Sequence, residues 1–206
     1  MSSPQRDANR SGPRGRSAVL SPRKRAVLKA AAGLFREHGY HGTSIRDIGA
    51  AAGVTSAALY RHFANKDELL ETAIWMLEGE FVAATRAALA SGGGDARAVL
   101  EALVRAFVQV ALEHRDLSAV YLFEARHLRP EIYAEMRRTE LRQRELWAHY
   151  LLLARPELSE TRVRTMARAA FLMACYVCLE DPEIERQQLA ALIADMALEA
   201  MLRAGA

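Results

Sequence analysis

The sequence predicts an all-α chain of about nine helices, and three observations carry that prediction. Apolar residues recur at spacings of three and four along most of the length, and no segment shows the sustained alternation of a half-buried strand. Gly, Pro, Ser, Asn or Asp falls at each break between these stretches, where helices start and stop. At 206 residues, of which 51% are hydrophobic, the chain can bury a small core and a larger one. No run of about eighteen residues lacks charge, so no membrane span is expected, and the Arg-rich start has no apolar stretch of a secretory signal.

Taken in order, residues 1–21 are rich in Ser, Pro, Gly and Arg, which predicts a disordered basic arm. Pro22–His38 carries Val27, Ala31, Leu34 and Phe35 on one face and stops at Gly39. Thr43–Phe63 then fits two short helices. Ser44 caps the first, Asp47 completes a capping box three residues later, and Ile45, Ile48 and Ala52 share a face. Gly53 stands where a left-handed residue ends a helix. Thr55 caps the second helix, whose inward residues are Val54, Leu59 and Phe63. Two short helices joined by a glycine-containing turn describe a helix-turn-helix, which sets its second helix in the DNA major groove. An αα-hairpin within a bundle also fits this stretch taken alone. The flanks decide between them.

On the far flank, Asn65-Lys66-Asp67-Glu68 has the spacing of a second capping box and opens a helix through Leu69, Leu70, Ala73, Ile74 and Leu77. The pattern Leu34-Phe35 to Gly39-Tyr40, Thr43-Ser44-Ile45-Arg46-Asp47-Ile48, Gly53-Val54, Leu59-Tyr60-Arg61-His62-Phe63 and Lys66-Asp67-Glu68-Leu69 resembles the DNA-binding domain of the tetracycline-repressor (TetR) family. The resemblance runs without a gap from about Arg25 to Leu77, and the remainder shares only length and helical character. It implies a helix-turn-helix domain over 22–66 and a helical ligand-binding and dimerisation domain over 67–206.

By the same resemblance, Thr43, Ser44, Tyr60, His62 and Lys66 meet backbone phosphates and Arg46 reads a base. Hydroxyl, imidazole and ammonium groups donate to phosphate oxygens, and an Arg fork fits guanine O6 and N7. As structural alternatives, Arg46 can pair with Asp47 or Glu37, and His62 can be a helix-end histidine beside Phe63. The outer face of the second short helix would present Thr55, Ser56, Ala57, Tyr60 and Arg61. Ser56, Ala57 and Ala58 are short, so readout rests on Arg46, Thr55, Ser56, Tyr60 and Arg61 with help from DNA shape. Charge divides accordingly. Residues 1–66 carry twelve Lys/Arg and three Asp/Glu, a formal +9, and residues 67–206 a formal −6. That asymmetry suits a polyanion met at one end. Arg14, Arg16, Arg23, Lys24 and Arg25 are expected at phosphates or the minor groove, while Arg6 and Arg10 fit a solvated tail.

In the second part, the helix from Lys66 runs past Trp75 and Phe81 towards Ala90 and is the expected coupling element, since it joins both domains. Ser91–Gly94 breaks it, and Asp95 caps an amphipathic helix through Leu100, Leu103, Val104, Phe107, Val110 and Ala111. Asp116–His127 forms another helix, Pro130 opens one that ends near Arg155-Pro156, and Ser159–Glu180 and Pro182–Ala204 close the chain, with Asp181 as a cap. The last two carry Met166, Ala170, Met173, Ala174 and Val177, then Leu189, Leu192, Ile193, Met196 and Ala200. Packing of this pair within the chain would account for them. The resemblance implies instead a four-helix interface with a second copy, hence a homodimer on a pseudo-palindromic double-stranded DNA operator.

The resemblance also implies a cavity for an unknown small-molecule effector. Its candidates are Trp75, Phe107, Gln109, Tyr121, Phe123, Glu124, His127, Tyr133, Trp147, Tyr150 and Phe171, each aromatic of which also fits ordinary core packing. Gln109 between valines and Glu124 beside Phe123 stand out as polar groups expected in the interior. Arg126, Arg137, Arg138, Arg142 and Arg144 fit either a solvated face or a seat for an anionic group such as the phosphates of an acyl-CoA. Glu124-x-x-His127 is half of a di-iron carboxylate motif without its second half, and no zinc-protease, nucleophile-elbow or phosphate-loop pattern occurs. No cofactor, metal or catalysis is therefore expected. Cys175 and Cys178 read as buried structural thiols suited to a reducing cytoplasm. The expected function is a cytoplasmic repressor released from its operator by a small molecule. The alternatives are a ligand-independent architectural DNA-binding protein and a metal-carboxylate enzyme.

Overall fold

Nine α-helices and no strand occur among the described residues, 20–179 and 184–203, of the computed structural model. They are α1 (Pro22–Gly42), α2 (Ile45–Ala51), α3 (Ser56–Tyr60), α4 (Lys66–Ser91), α5 (Ala96–Glu113), α6 (Arg115–Ala119), α7 (Pro130–Ala154), α8 (Glu160–Val177) and α9 (Arg186–Leu202). The all-α expectation holds. The basic arm lies outside the described residues as far as residue 19, and so do residues 180–183 and 204–206.

The local chemistry of the first four helices follows the sequence closely. α1 is interrupted at Gly39, whose φ of 71° suits a residue without a Cβ, and a last short turn carries the chain to Thr43. Ser44 and Asp47 form the reciprocal capping box on α2. Gly53 has φ +64°, and Thr55 accepts the Ala58 N–H to cap α3. The box before α4 is only half built. Asn65 accepts the Glu68 N–H at 2.8 Å, but the Glu68 carboxylate accepts from Ala64 N–H at 2.6 Å rather than from Asn65.

Two departures matter for function. The stretch expected as one helix over Asp116–His127 is α6 followed by a π-helical turn (Val120–Glu124) and a 3₁₀ turn (Ala125–His127). A wide turn followed by a tight one re-aims side chains that a regular helix would stack. The last helix begins at Arg186, capped by the Glu185 carboxylate on the Gln187 and Gln188 N–H groups. The earlier start proposed at Asp181-Pro182 lies outside the described residues.

Two apolar cores result. One joins α1, α2 and α3 (Leu28, Phe35, Ile48, Leu59) to the first half of α4, α6, the π turn and the start of α7. The other fills the space between α5, α7, α8 and α9 around Leu100, Val104, Trp147, Leu151, Ala174 and Ala197. α4 runs from the first core towards the second and packs along α5. Ion pairs tie the parts together: Arg25 to Glu80 at 2.5 Å, Arg36 to Asp116 at 2.8 Å and Arg105 to Asp195 at 2.7 Å.

Candidate nucleic-acid interface and effector cavity

The α2–α3 unit is held by short-range contacts. The Val54 N–H donates to the Gly49 carbonyl at 2.8 Å, closing the turn. A Cβ on Gly49 would sit 2.8 Å from the Val54 carbonyl oxygen, so only glycine allows this approach. Leu59 and Phe63 are buried beneath, which turns the opposite side of α3 outward. That outward side carries Thr55, Ala57, Tyr60, Arg61 and His62, with Ser56 half-buried and the Tyr60 ring 58% exposed. Arg46 on α2 and Arg23 at the start of α1 are exposed as well. Arg23, Lys24, Arg61 and His62 surround one shallow basic depression, where the Lys24 ammonium lies 4.9 Å over the Phe63 ring.

Three residues assigned above to phosphate contact have their polar groups turned inward. The buried Thr43 hydroxyl donates to the Gly39 carbonyl at 2.9 Å and lies 3.1 Å from that of Leu34, closing the end of α1. The Lys66 ammonium donates to the Tyr40 carbonyl at 2.7 Å and the Thr43 carbonyl at 2.9 Å, and stands 4.3 Å over the Tyr40 ring. Arg25 is drawn to Glu80 of α4. Thr43 and Lys66 thus supply donors to backbone carbonyls around the break at Gly39. Ser44 stays exposed, with its hydroxyl in the capping box. Hydrogen bonds from the Ser44 side chain and N–H hold the Asp47 carboxyl below its ordinary range.

The Glu124/His127 pair has a different task from metal binding. Glu124 Oε2 accepts the Tyr40 N–H at 3.1 Å, just after the break in α1. His127 stacks on the Tyr40 ring at 5.0 Å and meets His41 edge-on at 4.5 Å. Burial, and then His41, push the His127 imidazole below its ordinary value, so it is neutral at pH 7. Its Nε2 accepts from Arg126 at 3.3 Å, and Glu124 Oε2 lies 3.4 Å from the same atom. Among the described residues, no group of three or more His, Cys, Asp and Glu could hold a metal ion.

A partly open cavity lies between α4, α5, the π turn, α7 and α8. Of the candidates, Phe107, Tyr121 and Phe171 line it. Phe81, which stacks on Phe107 at 4.7 Å, Glu78, Thr139, Glu140, Gln143 and Cys175 line it too and were not foreseen. One signal for two of them was present in the sequence: Glu78 falls four residues after Ile74, and Glu140 four after Met136, at positions the helical period assigns to the interior. The other candidates sit elsewhere. Trp147 is fully buried edge-on behind Phe107 and Phe171. Trp75 packs partly buried against the first core and Tyr150 against the second. Tyr133 lies at a neighbouring depression with Arg126 and Arg137, and Phe123 is exposed near Tyr176. Gln109 is exposed, a correction to the expectation of an interior amide. It shares the outward side of α5 with Arg105 and Glu113, one turn away on either side.

Burial raises the Glu78 carboxyl to about 7, against hydrogen bonds from Thr139 and Tyr121 and the charge of Arg142, which act to lower it. The Tyr121 hydroxyl lies 3.4 Å from Glu78 Oε1. Cys175 reaches the cavity and is therefore not purely a core thiol, whereas Cys178 is fully buried. Both are free, and burial pushes both up, Cys178 to about 12.

The last two helices divide their apolar residues between inside and outside. Ala170, Ala174, Leu189 and Ile193, read above as interface residues, are buried within the chain because α8 and α9 pack on each other and on the second core. Met166, Met173 and Val177 are partly buried against that core. Leu192 and Met196 are each 47% exposed, and Ala200, Leu172 and Tyr176 also face out. No helix among the described residues is long and apolar enough to cross a membrane.

Comparison with known proteins agrees with this arrangement. Residues 27–73 match the family described as bacterial regulatory proteins, tetR family, and residues 93–201 match the tetracyclin repressor-like C-terminal domain. The HTH-type transcriptional repressor KstR2 of Rhodococcus jostii is 34% identical over 128 residues, and the alignment takes in 62% of this chain and 62% of that protein. The crystal structure of the TetR family transcriptional regulator PfmR from Thermus thermophilus superposes with a TM-score of 0.72 at 26% identity, over 84% of this chain and 97% of that one. AibR, solved in complex with isovaleryl coenzyme A and operator DNA, shares the fold with a TM-score of 0.71 at 22% identity, over 84% of this chain and 97% of its own. With both of its regions matched, the second over more than half its length, the chain belongs to the TetR family of bacterial regulatory proteins.

Proposed function

We propose that this protein is a dimeric transcriptional repressor of the cytoplasm that binds a pseudo-palindromic operator and leaves it when a small molecule enters the cavity. The carrying observation is the outward side of α3, where Thr55, Ala57, Tyr60, Arg61 and His62 stand clear of the core beside exposed Arg46 and Arg23. A five-residue helix held by Thr55 and the Gly49–Val54 contact is a rigid platform for groove contacts. Tyr60, His62, Arg23 and Ser44 are assigned to phosphates, Arg46 and Arg61 to base edges, and Thr55, Ser56 and Ala57 to the groove floor. Thr43, Lys66 and Arg25 act as positioning residues.

The second copy is placed on the exposed strip of α8 and α9 formed by Leu172, Tyr176, Leu192, Met196 and Ala200. Release runs through the π turn. Tyr121 of that turn lines the cavity, and Glu124, three residues on, grips the Tyr40 N–H at the end of α1. A ligand that shifts Tyr121 shifts the grip on the helix-turn-helix, provided its affinity differs between the two arrangements. This adds a route alongside α4, which carries cavity residues Leu77, Glu78, Phe81 and Val82 on the same helix as Lys66. Two free thiols suit a reducing compartment.

The test is selection of bound fragments from total genomic DNA of the source, followed by a gel-shift comparison with random duplex at near-physiological salt. A recurrent pseudo-palindrome bound at least a thousandfold more tightly is expected, at the order typical of specific regulators. Equal binding of random duplex would reject the operator reading.

A further inference from the structure

The cavity wall is mostly apolar, and two of its polar residues are acidic. Glu78 and Glu140 both line it, both are buried, and among the described residues no Lys, Arg or His lines it. The two carboxylates are not equivalent. Glu140 is paired with Arg137 and stands 3.7 Å from Arg144 Nε, so its charge is compensated from outside the cavity. Glu78, 6% exposed, touches no cation. Its nearest polar groups are the Tyr121 hydroxyl at 3.4 Å and the Thr139 hydroxyl on α7, which accepts from exposed Arg142 at 2.8 Å. Glu135 adds a further negative charge from α7, and Cys175 faces the same space from α8 as a neutral thiol. Hydroxyl donors directed at a carboxylate favour its ionised form, but a buried anion without a cation is costly. Among the described residues no cation touches the Glu78 carboxylate, and Arg142 reaches it only as a longer-range charge, so a cationic group entering the cavity would be its first direct partner.

We infer that this cavity takes a lipophilic cation, an apolar body carrying one protonated amine, with the ammonium seated on Glu78 and the body laid against the packed rings of Phe81, Phe107 and Phe171. The inference rests on the reading of the cavity as the effector site. It separates the effector from acids and coenzyme A thioesters. A carboxylate would face Glu78 and Glu140 with no counter-ion. The phosphates of a thioester would have to sit outside, beyond the mouth.

A matched series tests it on the full-length protein: decylamine, 1-decanol, decanoate and decanoyl-coenzyme A, which share one ten-carbon chain. Calorimetry at pH 6 and pH 8 should find decylamine bound at least tenfold more tightly than decanoate. Because Glu78 loses its proton near 7, amine affinity should rise about tenfold between those pH values, as linkage to one such group requires. The amine itself stays charged over that range, its ordinary pKa being about 10. Glu78→Gln should abolish the rise and the preference over decanol while the melting temperature and dimer mass stay within error. If that variant does not fold, the pH dependence of the unaltered protein still decides. Amine binding that is absent, or that weakens as pH rises, overturns the proposal, as does decanoate or decanoyl-coenzyme A binding as tightly as decylamine. Operator release is read separately. Release by decanoyl-coenzyme A without amine binding rejects this inference and keeps the repressor reading. Amine binding at Glu78 with no effect on any operator complex keeps the inference and rejects that reading.

Discussion

At the scale of single residues, exposure separates groups offered to DNA from groups that hold the frame. Tyr60 and Arg61 face out and have no part in the core. Tyr60→Ala should weaken operator binding about fivefold, near 1 kcal/mol for one lost hydrogen bond, with the dimer intact by sedimentation. Arg61→Ala should weaken it more, by about 1–3 kcal/mol, and leave the slope of log affinity against log salt unchanged, since the guanidinium is proposed to read a base edge rather than to neutralise a phosphate. Thr43 should behave in the opposite way. Thr43→Val leaves the Gly39 and Leu34 carbonyls without their buried donor and should cost about 1–2 kcal/mol in urea unfolding, with no change in the salt slope. The family resemblance put Thr43 beside Ser44 at the DNA, and a hydroxyl at a helix start looks alike in sequence whether it points in or out. Only the packing of α1 against α2 tells them apart.

At the scale of elements, the proposed function depends on the turn of the helix-turn-helix and on the π turn. Gly53 was legible as a left-handed residue, but Gly49 was not, since its constraint is the approach of Val54 across space. Gly49→Ala should force α2 and α3 apart, costing about 1–3 kcal/mol as overpacking does. Operator binding should be lost in a gel shift while the dimer mass is kept. The π turn was read as ordinary helix because its residues carry no breaker: Val120-Tyr-Leu-Phe-Glu124 is a good helical sequence. Its widening places Tyr121 in the cavity and Glu124 on Tyr40. Glu124→Ala should leave ligand affinity within about threefold but reduce the ligand's effect on operator affinity, a coupling usually worth about 1–3 kcal/mol. Titrating operator at saturating and zero ligand measures that difference directly.

At the scale of the whole molecule, the same pair of helices serves an internal core and an exposed apolar strip. Leu192→Glu with Met196→Glu places charge only on the strip, so the protein should sediment as a monomer with its fold retained by circular dichroism. Loss of one half-site grip should then lower operator affinity by at least a hundredfold, because linked half-sites bind as one. Ile193→Asp, one residue away but buried, should instead unfold the chain, since an unpaired charge in an apolar core costs several kcal/mol. Helical period alone could not divide these residues, for both sides of α9 are apolar.

The sequence by itself determined most of the helices, their caps at Ser44, Thr55, Asn65 and Asp95, the stop at Gly39, the left-handed turn at Gly53, and the basic front end. Those features depend on neighbours within about one helical turn, where backbone sterics and hydrogen bonding act directly. The tertiary structure decided which polar groups face inward: Thr43 and Lys66 under α1, Glu78 and Glu140 at the cavity, Gln109 to the outside, and Glu124 on Tyr40. Each of those outcomes depends on an element distant in the chain supplying or withholding a partner. A sequence read turn by turn does not contain that information.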